Sequence, residues 1–115
     1  STSMRSKMKI RQILLTIALV TLTVVAHART LVVNVAYGGS GSHGQYLCRL
    51  YKGGYYYTSK WVTNTGFTTG TAVFDVPTGD TYSAAVYCVT DGRLRISNGR
   101  YYSWWYTRLD LYVSF

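Results

Sequence analysis

The sequence predicts an all-β fold: a small β-sandwich of about seven strands behind a cleavable export leader. Three observations predict it. From Thr30 onward the chain is dominated by Val, Thr, Tyr, Trp and Phe, residues that fit a pleated, half-buried surface. Turn signals rich in glycine interrupt it at intervals of roughly 8–12 residues, the spacing of short antiparallel strands. After residue 29 no apolar pattern holds the 3.6-residue period of a helix for more than one turn.

The elements follow in chain order. Met4–Arg11 is basic, Ile13–Val25 is an unbroken apolar or threonine run, and Ala26-His27-Ala28 places small residues on either side of His27. That is the three-part pattern of a secretory leader, so residues 1–28 are expected to be removed and residues 29–115 to form one domain. The run falls short of the roughly 20 residues of a bilayer-spanning helix, and an uncleaved anchor is the alternative. The mature protein is therefore expected to be secreted, extracellular or at the cell surface, passing through the periplasm in a bacterium, with no stable membrane insertion.

Thr30–Tyr37 is the first expected strand, and a Gly/Ser-rich loop over residues 38–44 ends it. Gln45–Lys52 is the second, and Gly53-Gly54 turns the chain into Tyr55–Trp61. Thr71–Val76 follows, closed by the turn Pro77-Thr78-Gly79-Asp80. Thr81–Thr90 is the longest strand. Asp91-Gly92 and Asn98-Gly99 then read as hairpin turns on either side of Arg93–Ser97, leading to Arg100–Thr107 and a closing strand Leu109–Phe115.

Period-two alternation assigns faces. Tyr46, Cys48 and Leu50 share one face, with the charge of Arg49 marking the other as solvated; Ala72, Phe74 and Val76 point together, opposite Asp75; Tyr82, Ala84, Val86 and Cys88 line a third core face. The two cysteines thus both lie on core faces, about 40 residues apart, in a chain expected to reach an oxidising compartment. A Cys48–Cys88 disulfide is expected, closing a loop that would stabilise the fold by roughly 3–4 kcal/mol. Two free buried thiols, or an intermolecular bridge, are the alternatives.

The stretch from Leu31 to Val89 resembles the transthyretin-like and Cna-B-type β-sandwich, the Ig-like architecture of carboxypeptidase regulatory-like domains. Leu31-Val32-Val33-Asn34-Val35 looks like the family's first strand and Cys48-Arg49-Leu50-Tyr51-Lys52 like its second. Asn64-Thr65-Gly66, then Thr71-Ala72-Val73-Phe74-Asp75-Val76-Pro77-Thr78-Gly79-Asp80-Thr81-Tyr82, is similar to its glycine and aromatic signature. The resemblance implies a stalk, pilin or surface-adhesion module without catalysis of its own. The isopeptide bonds of some members do not carry over, because the chain has no glutamate and its first strand has no lysine.

The inventory for catalysis is thin. His43 is the one histidine after the leader and sits in the Gly/Ser loop without a partner cluster. Asp80 and Asp91 read as turn residues and Asp75 as a solvent-facing one, so no buried carboxylate pair is indicated. No metal-binding spacing, phosphate loop or dinucleotide fingerprint is present. No enzyme activity, cofactor or metal is expected. Charged residues make up 14% of the chain, and four of its twelve basic residues precede the apolar run, so half of the formal net charge of +8 leaves with the leader. The remaining excess is modest and gives no reason to expect a nucleic-acid partner.

The aromatics are the anomaly. Tyr55, Tyr56, Tyr57 and Trp61 crowd one hairpin arm, and Tyr101-Tyr102-Ser103-Trp104-Trp105-Tyr106 another. Alternation puts Tyr102, Trp104 and Tyr106 on one face, and Arg93, Arg95, Arg100 and Arg108 surround the same hairpin. A thin sandwich buries one face of such a strand and exposes the other. Tyr102, Trp104, Tyr106, Tyr55, Tyr57, Trp61, Arg93 and Arg95 are accordingly the expected binding or interface residues. The bland alternative is that tyrosine fills these strands for its β-propensity alone. The function expected first is a structural or adhesive surface protein, a fibre, pilus-like or coat subunit, whose partner is itself or another surface protein. The closing strand would be able to add to a neighbour's sheet edge. A carbohydrate-binding module that stacks the Tyr/Trp face on polysaccharide comes next, and a secreted effector or inhibitor of another protein third.

Overall fold

The computed structural model describes residues 28–38 and 44–115. The expected leader up to His27, and His43 with most of the Gly/Ser loop, lie outside the described residues. Among the described residues there is no helix, and nine strands form two sheets. They are β1 (Ala28–Ala36), β2 (Tyr46–Lys52), β3 (Tyr55–Trp61), β4 (Thr63–Asn64), β5 (Thr69–Pro77), β6 (Thr81–Cys88), β7 (Leu94–Ile96), β8 (Arg100–Tyr101) and β9 (Arg108–Ser114). One sheet has the order β4-β5-β1-β9; the other has β3-β2-β6-β7, with β8 also pairing β6. All pairs are antiparallel except β1 with β9.

The core lies between the sheets and obeys the alternation. Leu31, Val33 and Val35 of β1, Ala72, Phe74 and Val76 of β5, and Leu109, Leu111 and Val113 of β9 are buried from one side. Tyr46, Cys48 and Leu50 of β2 meet them with Tyr82, Ala84, Val86 and Cys88 of β6. Each Phe, Leu or Val so buried is worth about 1.5–3 kcal/mol against exposure, which offsets the entropy of ordering a short chain.

Turn chemistry explains most connections. Gly53 and Gly54 both take positive φ, 58° and 83°, as a two-residue hairpin turn matched to the twist of β2 and β3 demands. Gly70 is required for a different reason: it lies in β5 beneath Tyr37, whose hydroxyl donates to Asn64 Oδ1 at 2.8 Å, and any Cβ there would overlap that hydroxyl.

Three expectations are corrected. Asn98-Gly99 does not turn a hairpin: β7 and β8 both pair β6, with the register displaced by one residue between Ala85↔Ile96 and Tyr82↔Arg100. They form one edge strand broken by a bulge, where the buried Ser97 accepts the Ala84 N–H on its Oγ at 2.9 Å and donates its own N–H to Ala84 O. A side chain thus replaces the missing ladder bond. Residues 102–107 do not continue the strand either, because they turn back over the end of the sandwich, with Tyr106 N–H donating to Ser103 O.

The disulfide is the third correction. Cys48 and Cys88 are not bonded. They share the inner face of neighbouring strands, but Cys48 faces Val86 and Cys88 faces Tyr46, so they stand diagonally. Diagonal neighbours are roughly 7–8 Å apart, beyond the separation a disulfide spans without backbone movement.

Candidate functional site

The outer face of β3-β2-β6-β7 gathers several of the apolar side chains that the core leaves exposed. Register sets Trp61 beside Leu47, Leu47 beside Tyr87, and Tyr87 beside Leu94, one residue from each of four strands in a single row. The next row is Ser59, Arg49, Ala85 and Ile96. A third begins with Tyr56 beside Tyr51 and ends on Ser83. Trp61 is 57% exposed and Ile96 70%. The face is therefore an aromatic and aliphatic surface open to solvent, larger than scattered apolar residues would make it.

Arg49 stands in its middle, flanked in sequence by buried Cys48 and Leu50, so that its side chain must point outward. A hollow of about 280 Å³ lies on one side of it, lined by Tyr51, Ser83, Ala85, Leu94 and Ile96. On the other, Arg49, Tyr51 and Tyr56 border a shallower one of about 390 Å³.

The expected site residues separate into three places. Trp61 belongs to the face just described. Tyr55 and Tyr57 are exposed at the β2–β3 turn, where a bulge sets Tyr57 out of step and Lys52 Nζ lies 5.3 Å from its ring centre. Trp104 and Trp105 are exposed on the 102–107 turn at that same end, which is joined to the β5–β6 turn by Tyr102 N–H donating to Asp80 O.

Tyr102 corrects the expected ladder with Trp104 and Tyr106. It is wholly buried, its ring edge-on to Tyr82 and its hydroxyl donating to Thr30 O at 2.6 Å. Tyr106 is half-buried, and its carbonyl accepts from Arg29 Nη1. With no strand across 102–107, alternation has no meaning there.

Arg93 and Arg95 lie at the opposite end. Both guanidiniums rest on the ring of Phe115, 5.3 and 5.7 Å from its centre, and Arg93 also binds Asp91 at 2.6 Å. They brace the end of the core and do not join the Trp104 turn.

Burial pushes the Cys48 thiol up to about 12 and the Tyr82 phenol to about 12, so both stay protonated at neutral pH. The Arg93 backbone N–H, with its guanidinium, holds Asp91 below the usual carboxylate range; Arg108 does the same for Asp110 against a smaller opposing effect of burial. Among the described residues no group of three His, Cys, Asp or Glu side chains gathers to hold a metal ion. No helix among them is long and apolar enough to cross a membrane.

Leu47, Tyr51, Tyr87, Leu94 and Ile96 were not among the expected site residues. A signal existed for them. Leu47 and Tyr51 flank Arg49 on the side that its charge marks as solvated, and Leu94 and Ile96 alternate with Arg93 and Arg95. Charge marks the wet face on β2, yet at the edge strand the arginines turn inward over Phe115 and the aliphatic residues turn out.

Comparison with known proteins adds no relative: no family model, no curated protein and no solved structure matches the chain.

Proposed function

We propose that this chain is an exported, non-enzymatic surface protein, a structural or adhesive subunit that assembles through the outer face of β3-β2-β6-β7. The observation that carries this reading is the in-register row Trp61, Leu47, Tyr87 and Leu94, backed by Ile96, across four strands of which the central two, β2 and β6, fill the core with their opposite face. Burying such a surface against another protein gains free energy in proportion to the apolar area removed from water, less the cost of association. The resemblance to Cna-B-type sandwiches carries the same expectation of a stalk or pilin role. The leader at residues 1–28 supplies the route out of the cell, and a mature form starting at Arg29 is its signature in the mass spectrum.

Sedimentation velocity over a hundredfold range of concentration, with negative-stain microscopy of the heaviest species, tests the assembly. Wild type is expected to shift to larger species with concentration, and Leu94→Asp with Ile96→Asp to remain monomeric with an unchanged urea midpoint. A wild type that stays monomeric throughout overturns the reading.

A second reading rests on a separate observation. Trp104 and Trp105 are adjacent indoles, 76% and 65% exposed, on a turn away from the apolar face. Rings so placed suit stacking on sugars. Retention on immobilised polysaccharide that Trp104→Ala abolishes, without unfolding, would favour a carbohydrate-binding role.

A further inference from the structure

Among the described residues, two ion pairs form, Arg93–Asp91 and Arg108–Asp110, and of the charged side chains outside them Asp75 and Arg49 are the two that meet no polar or ring partner within the described residues. Of the four aspartates, Asp80 accepts from Thr81 N–H, Asp91 binds Arg93, and Asp110 binds Arg108 and Asn34. Asp75 meets no partner among the described residues, and is exposed. Among the described lysines and arginines, Arg29, Lys60, Arg95 and Arg100 donate to backbone carbonyls, Arg93 and Arg108 to carboxylates, and Lys52 lies by Tyr57. Arg49 alone has neither a hydrogen bond nor a cation–π ring among the described residues.

The two residues lie on opposite outer surfaces. Asp75 is flanked by buried Phe74 and Val76 on β5, so it points out from β4-β5-β1-β9, next to the exposed Val73. Arg49 points out from β3-β2-β6-β7 among the apolar rows. Among the described residues no acidic side chain stands in the rows of Arg49's face, so packing that face on its own copy would set like charges together in an apolar field, which costs several kcal/mol. A head-to-tail contact instead brings Arg49 of one copy to Asp75 of the next, with Ile96 and Val73 as apolar shoulders.

We infer that a second copy of this chain occupies the apolar face, seating its Asp75 surface on the Arg49 surface in a heterologous contact. The inference rests on the self-assembly reading and adds its polarity. Because donor and acceptor faces are opposite sides of one sandwich, the contact repeats from copy to copy, giving a filament where the rotation does not close and a ring where it does.

The test is charge exchange in the full-length chain, purified in the form the cell releases. Arg49→Glu and Asp75→Lys are each expected to weaken assembly by at least about tenfold, since each sets like charges across the contact. Their urea midpoints should match wild type, both sites being exposed. Mixed in equal amounts, the two variants are expected to reassemble, because each then offers the face the other lacks. Wild-type assembly that neither substitution weakens, or two weakened variants that do not recover on mixing, overturns the head-to-tail contact while leaving self-assembly standing. A wild type that never assembles overturns both.

Discussion

On the outer face of β4-β5-β1-β9, Asp110 accepts from Asn34 Nδ2 at 3.0 Å and from Arg108 Nη2 at 2.7 Å, and Arg100 donates to Asp110 O at 2.9 Å. Around this network Val32 is buried although it points away from the core. On the outer face of β3-β2-β6-β7 the corresponding central position is Arg49, with no acceptor, among Leu47, Tyr51, Leu94 and Ile96. Both faces belong to strands of similar length and propensity. What separates their centres is satisfaction: one surface closes a hydrogen-bond network around Asp110 and leaves Asp75 open on β5, and the other has no such network and leaves a guanidinium among several apolar side chains for something else to cover. A sandwich needs only one packed face per sheet, so the other is free to be solvated or to bind.

The largest effect expected comes from cutting what joins the two sheets. Tyr102 reaches from the end of β8 to Thr30 O on β1, with its ring wholly buried. Tyr102→Ala should lower stability by about 3–5 kcal/mol in urea denaturation, whereas Trp104→Ala, two residues on and exposed, should stay within about 0.5 kcal/mol. Tyr102→Phe, which keeps the ring, should cost only about 1–2 kcal/mol for the stranded carbonyl. Equal losses at Tyr102 and Trp104 would mean that the 102–107 turn is packed as a strand after all.

That pair of residues also marks how far the fold was legible. Seven strands, β1, β2, β3, β5, β6, β7 and β9, could be read from alternation and glycine turns, with the inner faces of β2, β5 and β6, because a half-buried strand in a thin sandwich has no other way to bury Phe74 or Leu50. Alternation failed where the backbone stops being a strand, at Tyr102–Thr107, and where a bulge resets the register, at Ser97–Gly99. Neither event is encoded in local propensity: Asn98-Gly99 is a sound hairpin signal, overridden by the longer pairing surface that β6 offers to both β7 and β8. Of the candidate face only Trp61 stood among the expected residues; alternation with Arg49, Arg93 and Arg95 carried a signal for Leu47, Tyr51, Leu94 and Ile96, but no local pattern reveals the strand order that brings them together.

A middle-sized effect tests the two outer faces directly. Val32→Ala should cost about 2 kcal/mol, since Val32 is 4% exposed at the centre of the network face. Ile96→Ala, on the apolar face, should cost no more than about 0.5 kcal/mol in dilute solution. As concentration rises the Ile96 variant should fall behind wild type in urea midpoint, because anything that binds only the folded chain stabilises it. A loss at Ile96 that equals that at Val32 even in dilute solution would mean the face is closed within the single chain.

Smaller still is the contribution of the Asp110 cluster. Asp110→Asn should cost about 1 kcal/mol at neutral pH, the hydrogen bonds being partly exposed. Arg108 holds the Asp110 carboxyl below its ordinary value of 3.8, so its stabilising effect is full above that value and fades as the pH falls through the lower folded-state value. Wild type and Asp110→Asn, which does not titrate there, should therefore converge in acid. Arg49→Gln on the other face should show neither the neutral-pH loss nor the convergence. A gap that persists in acid would assign the effect of Asp110 to packing.

The smallest effect expected is none at all, and it bears on the sheet beneath the apolar face. Cys48 and Cys88 face that sheet's inner side as separate buried thiols, one strand apart and two residues out of step. Reducing agent should leave the urea midpoint where it was, and a thiol reagent should find two reactive sulfurs per chain in denaturant and none quickly in native buffer. A bridge would show as a loss of roughly 3–4 kcal/mol on reduction. It would also require β2 and β6 to slide or pucker until diagonal positions came within bonding reach. The same movement would unseat Leu47 from Tyr87 and Arg49 from Ala85 on the reverse of those strands, since one backbone carries both faces. Free thiols and an ordered apolar row are thus two readings of a single register, and a reduction-sensitive midpoint would count against the face as much as against the cysteines.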